Sequence, residues 1–197
     1  MSTANIANCL INKYNYKSYL EIGMHRGKTF KEVECGTKAS IEPAGRKRGG
    51  MHPTYALTSD EYFAEHRDFF DIIFIDGLHH ADQFMRDVLN SLGCLNTGGT
   101  ILCHDINPKH RAEQLVPKQH EKWLGDVWKS WVRLRATRED LWMCAIEGGV
   151  GLGVIREGKQ ELLPLSRKLI DPAYEDLDKN REEWLNLMTW EKFEKVL

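Results

Sequence analysis

The chain reads as a single α/β domain built on a doubly wound, mostly parallel sheet. Three observations predict it. Short apolar runs stop on acids: Ile72 to Ile75 ends on Asp76-Gly77, and Thr100 to Cys103 ends on His104-Asp105. Between them Phe84, Val88, Leu92 and Leu95 recur at helical spacing, so one apolar helix face covers two buried strands. Further on, Leu141 to Glu147 and Gly151 to Arg156 flank Gly148-Gly149 and read as a hairpin that adds an antiparallel strand. In open α/β sheets ligands lie past the carboxyl ends of the strands. Asp76, His79 and Asp105 are therefore expected to face one crevice.

In chain order, residues 3 to 14 carry Ile6, Leu10 and Ile11 on one helical face. Tyr19 to Ile22 is the first strand, Gly23 to Gly27 a tight turn, and a helix begins near Lys28 with Phe30 and Val33 inward. Lys38 to Glu42 is the second strand, stopped by Pro43. Tyr55 to Thr58 is a weak third strand, and Ser59 or Asp60 caps a helix reaching about His66. After the stretch Phe70 to Pro108, Lys109 to Leu124 is a polar loop facing the substrate side. Gly125 to Arg135 and Tyr174 to Met188 are helices. Trp128, Trp131, Trp142 and Trp184 fall among apolar residues and read as core. The whole of 1–197 is taken as one domain, with 15–110 as the ligand-binding core and 111–197 as the substrate-side loop, hairpin and final helix.

The totals exclude several classes. A formal net charge of −2, with 42% hydrophobic and 28% charged residues, gives no general pull towards nucleic acid or anionic membranes. The basic cluster Arg46-Lys47-Arg48 is either a solvated loop or a contact for an anionic substrate. The five cysteines are scattered, without a CxxC pair, which fits a reducing compartment. Neither a signal-peptide core nor a membrane span is evident, so a cytoplasmic protein is expected. Nothing in the residues names an oligomeric state.

The turn Gly23-Met24-His25-Arg26-Gly27-Lys28-Thr29 admits three readings. A phosphate loop needs four residues between its glycine and the GK[ST] group, and here there are three. A dinucleotide fingerprint needs GxGxxG, and position 25 is histidine. The third is a loop for S-adenosylmethionine (SAM), in which acids end the first two strands. Glu21, Gly23, Gly27 and Glu42 meet that demand. Two carboxylates suit a ligand with a sulfonium, an ammonium and a sugar diol, and they repel a polyphosphate.

These residues resemble the class I SAM-dependent methyltransferases, and most of all a small branch of Methyltransferase-24 type. The resemblance rests on Glu21-Ile22-Gly23, Gly27-Lys28-Thr29-Phe30, Thr58-Ser59-Asp60-Glu61-Tyr62-Phe63 and the stretch Phe70 to Pro108 in that order. Gly125-Asp126-Val127-Trp128-Lys129 and Gly151-Leu152-Gly153-Val154-Ile155 add to it. It implies a Rossmann-like, seven-stranded sheet with an antiparallel last strand. It also implies that Glu21, Gly23, Met24, His25, Gly27 and Thr29 line the methionine end of SAM. Glu42 would hold the ribose. Ser59, Asp60 and Asp76 would lie near the rest of the cofactor, with Asp60 by the adenine amine.

The acid turns point to the acceptor side. A divalent ion held by two strand-end acids lowers the pKa of a bound hydroxyl. Asp76, Asp105 and His104 are the candidate ligands, for magnesium or manganese. His79 is placed as the base, since imidazole titrates near neutrality. The arrangement is similar to catechol-type O-methyltransferases, but their lysine is His79 here and their asparagine is Ile106, which leaves Asn107 or His104 to complete the ligands. His80 is expected to point elsewhere. The expected activity is O-methylation of a small molecule or sugar, with Asp76 and His79 as the catalytic pair. The competing readings are a phosphate-loop nucleotide hydrolase and a catalytically silent SAM-binding module.

Overall fold

A computed structural model describes residues 1–43 and 51–197. Arg46-Lys47-Arg48 lies outside the described residues. The sheet has seven strands in the order β2-β1-β3-β4-β6-β5-β7, numbered along the chain. The predicted strand–helix–strand stretch is present as β3 (Phe70–Ile75), α4 (Ala81–Gly93) and β4 (Leu95–Cys103). The chain divides into two compact units, Met1–Leu78 with Arg86–Leu102 and His79–Met85 with Cys103–Leu197.

In the first unit α1 (Thr3–Tyr14) starts where Ser2 Oγ accepts the amide of Asn5 and stops at Asn15 in left-handed conformation. β1 (Ser18–Ile22) runs parallel to β2 (Thr37–Ile41) on one side and to β3 on the other. Tyr19, Leu20, Ile72 and Ile73 are fully buried, as a strand covered on both faces requires. Asp71 pins the start of this ladder: Oδ2 accepts from the amides of Lys17 (2.7 Å) and Ser18 (3.0 Å), and Oδ1 from Asn96 Nδ2 (2.7 Å). Burial opposes its charge, but these donors outweigh burial and hold the carboxyl below its usual pKa.

α2 (Lys28–Glu32) is one turn long and ends before Val33. The expected strand over Tyr55–Thr58 is a single parallel bridge, Ile41 to Tyr55. Thr58 is committed instead to α3 (Ser59–Glu65), and it, not Ser59 or Asp60, is the cap. Its hydroxyl accepts the Glu61 amide while Glu61 Oε2 accepts the Thr58 amide at 2.8 Å, a reciprocal capping box.

In the second unit α5 (Val127–Thr137) buries Trp128 and Trp131 completely. β5 (Leu141–Ile146) and β6 (Leu152–Glu157) form the predicted antiparallel hairpin. A short 3-10 turn occupies Arg111–Gln114, within the expected loop. α6 (Arg167–Ile170) precedes α7 (Tyr174–Leu185). The last helix was expected to reach Met188, but Asn186 turns left-handed and ends it. β7 (Leu187–Met188) then pairs parallel with β5, and α8 (Trp190–Val196) closes the chain. The mostly parallel seven-stranded sheet is thus as predicted, with β5 and β6 as its antiparallel pair. Trp184 is core, whereas Trp142 is half-buried against Phe193. No described helix is long and apolar enough to cross a membrane.

Candidate active site

The glycine turn follows β1 in the first unit. Gly23 takes φ +86°, and a Cβ there would lie 2.0 Å from the carbonyl oxygen of Asp76. Only glycine allows that approach. The amides of Gly23 and Met24 both donate to Ile41 O, and the amide of Gly27 to Met24 O, so the backbone folds back tightly. Glu21 is 2% exposed and accepts from the Tyr19 hydroxyl at 2.5 Å. Burial pushes its pKa up to about 8, against the pull of the Tyr19 hydroxyl and with help from the charge of Asp76. Glu42, also buried, accepts the His25 amide at 2.9 Å through Oε2. His25 holds φ +48°, so its backbone rather than its ring ties the turn to the end of β2.

Met24 is buried and Thr29 half-buried in the first turn of α2. Ser59 opens α3. Asp60 is exposed, and Arg86 grips both its oxygens at 3.3 Å. Its carboxylate therefore already has a cationic partner. Asp76 is half-buried, with its amide bonded to Ile22 O. The first amide of α4, Ala81 N, goes to Asp126 Oδ1 at 2.7 Å, so that amide does not need Asp76 as a cap.

The second unit gathers His79, His104 and Asp105. Asp105 is 5% exposed and sits at φ +61°, a left-handed conformation that disfavours most side chains by about 1 kcal/mol. Its Oδ2 lies 3.1 Å from His79 Nδ1 and its Oδ1 lies 3.2 Å from His104 Nδ1. One buried carboxylate thus faces two imidazoles. Ile106 is fully buried. Asn107 Oδ1 accepts from Arg181 Nη1 at 2.5 Å, so its oxygen faces a cation and is a poor metal ligand.

Trp123 was not legible as a site residue. Its ring stacks on His79 with centroids 5.2 Å apart and planes 17° apart. Its indole N–H donates to Leu115 O at 2.6 Å, which fixes the ring. His80, expected to point elsewhere, lies edge-on to the same indole at 6.2 Å. Gly125 packs so closely that a Cβ would fall 1.7 Å from His79 O. The signal in the sequence was Trp-Leu-Gly closing a polar run.

Residues 40–106 match the family model of a methyltransferase domain, Methyltransf_24. Similar solved structures include an O-methyltransferase from Bacillus cereus in complex with SAH, 15% identical, covering 80% of this chain and 82% of that one with a TM-score of 0.57. The SAH-bound methyltransferase PaMTH1 of Podospora anserina is 18% identical over 81% and 80% of the two chains, with a TM-score of 0.58. The O-methyltransferase TomG of Streptomyces achromogenes, involved in tomaymycin synthesis and complexed with SAM, is 14% identical over 78% of each chain, with a TM-score of 0.56. At these identities the likeness is one of fold. A comparison with curated proteins returns no match.

Proposed function

We propose that this chain, whose residues 40–106 match the model of a methyltransferase domain, is a SAM-dependent O-methyltransferase acting on a hydroxyl of a small molecule. The observation that carries the reading is the pair of buried acids, Glu21 and Glu42, on either side of the glycine turn. A sulfonium amino acid with a ribose diol is a ligand that such acids suit. The structural relatives crystallised with SAM or SAH support the same cofactor. We read 1–197 as one such domain, in a reducing, cytoplasmic setting that keeps all five cysteines as thiols.

SAM supplies a methyl group made electrophilic by its sulfonium. In this reading Glu21 takes the ammonium end, Thr29 the carboxylate end and Glu42 the ribose, with Gly23, Met24, His25 and Gly27 forming the turn beneath. His79 removes the acceptor proton. Asp105 Oδ2 lies 3.1 Å from His79 Nδ1, so the proton gained by the ring would sit beside a carboxylate. Asp105 then stabilises the imidazolium, and the face of Trp123 favours the same cation.

In this reading Asp105, with the rings of His79 and His104 beside it, would hold a metal ion. Such an ion would supply acidification of the hydroxyl. A donor set mixing carboxylate with imidazole suits manganese better than magnesium.

Calorimetry is the test. SAM should bind and ATP should not, and Glu42→Gln should weaken SAM by roughly tenfold to a hundredfold, as loss of a charge-assisted contact does. Tight ATP binding without SAM binding would overturn the proposal. Turnover with hydroxylated acceptors should fall in EDTA and return best with manganese. Full turnover in EDTA would leave His79 and Asp105 as the whole of the deprotonating machinery, and no turnover under any condition would mark a silent binding module.

A further inference from the structure

We infer that Asn107 and Lys109, beside the charge of Arg181, form a receptor for an anionic group, a carboxylate or a phosphate, carried by the methyl acceptor. This rests on the proposed transfer to a hydroxyl and names what else the acceptor bears.

The starting point is Asn107, which is 1% exposed. Its amide donates to Val150 O at 2.8 Å and its Oδ1 accepts from Arg181 Nη1. Guanidinium can only donate, so the atom facing Arg181 must be the oxygen and the other branch must be the NH2. That Nδ2 is buried and has no hydrogen-bond partner among the described residues. A buried donor left unmet costs about 1–3 kcal/mol, and such groups are rare in folded chains. The carboxamide is locked in place, and its free edge calls for an oxygen acceptor.

The charge nearby says which oxygen. The Arg181 side chain is 13% exposed; beyond Asn107, Nη1 donates to Pro108 O (2.6 Å), and Nη2 donates to Tyr174 Oη (3.3 Å) and Asp178 Oδ1 (2.9 Å). Asp178 is largely exposed, so water screens its offset. Lys109 follows two residues after Asn107. Burial, and then the charge of Arg181, depress the pKa of its ammonium, which an incoming anion would reverse. The buried acid of this region, Glu113, is already occupied by the amides of Lys109 and His110 and by Lys122 Nζ at 2.7 Å. Asn107 and Lys109 also continue the segment that begins with Asp105, the carboxylate facing His79. Asn107 and Lys109 thus lie two and four residues along the chain from Asp105, whose carboxylate is 3.1 Å from the proposed base His79, and they would hold the far end of a bifunctional acceptor.

The test uses the full chain labelled with nitrogen-15, without cofactor. The side-chain amide of Asn107 is assigned by its loss in Asn107→Asp. Inorganic phosphate and, separately, acetate are titrated in. The inference expects a saturable shift of that amide with at least one of them. Lys109→Glu, a change at an exposed residue, should weaken the same binding by about tenfold or more. Response to phosphate alone assigns a phosphate ester, and response to acetate a carboxylate. An amide unmoved by both anions, or an affinity unchanged in Lys109→Glu, overturns the receptor. Because no SAM is present, a failure here is separate from a failure of the methyltransferase reading.

Discussion

Asp105 joins an uncommon backbone conformation, φ +61°, to a buried charge shared by two imidazoles. Left-handed conformations of this kind persist where the surroundings over-determine them, often at functional sites. The residue type and its position after a strand were visible in the sequence. The conformation was not, because asparagine and aspartate enter left-handed backbone without leaving a pattern in their neighbours. Trp123 was hidden for a different reason: a lone aromatic in a polar run has no periodicity, and its ring partner is distant along the chain. Asp105→Asn tests the dyad. The amide keeps the shape but removes the charge that stabilises a protonated His79. Methyl transfer under saturating cofactor should fall by about a hundredfold or more, in the range of general-base losses. SAM affinity by calorimetry should stay within a few-fold. Loss of SAM binding in step with the rate would mean that Asp105 supports the fold of the cofactor site instead.

At the scale of elements, legibility followed periodicity. β3 and the end of β4 were read correctly because their runs stop abruptly on acids, whereas Leu95, expected on the helix face, opens β4 five residues before the expected start at Thr100, because α4 ends at Gly93. α1, β1 and the β5–β6 hairpin were clear because their runs keep one period. Tyr55 to Thr58 failed because β propensity competes there with a stronger local demand. Thr58 and Glu61 satisfy each other's amides at the start of α3, and that box takes the chain out of the ladder after Tyr55. β7 was invisible because two residues cannot show alternation. The capping box makes a sharp claim about adjacent hydroxyls. Thr58→Ala should lower unfolding free energy by about 1 kcal/mol. Ser59→Ala, inside the first turn, should change it by less than about 0.5 kcal/mol. Urea denaturation of the two variants checks this, and equal losses would reject Thr58 as the cap.

For the molecule as a whole, the buried and half-buried acids set how stability runs with pH. Asp71 in the first unit and Glu113 in the second are held below their usual pKa values. Their stabilisation is present above the ordinary carboxylate pKa and is lost as the pH falls through the depressed values. Glu21 works in the other direction. Its pKa rises from 4.5 to about 8 in the folded chain. Between those values the folded protein keeps a proton that the unfolded chain gives up. This contribution is therefore complete below pH 4.5 and declines as the pH rises to about 8, by roughly 1.4 kcal/mol per pH unit at its steepest. The unliganded protein should melt at progressively lower temperature from pH 5 to pH 8, and Glu21→Gln should flatten that slope. A cationic cofactor changes the balance, because the ammonium end assigned to Glu21 favours the ionised acid. SAM should then stabilise the protein more at pH 8 than at pH 6, and binding at neutral pH should release a proton. Calorimetry in buffers of differing ionisation enthalpy measures that release directly. A SAM-binding heat independent of buffer would remove Glu21 from the ammonium site, leaving it a buried neutral partner of Tyr19.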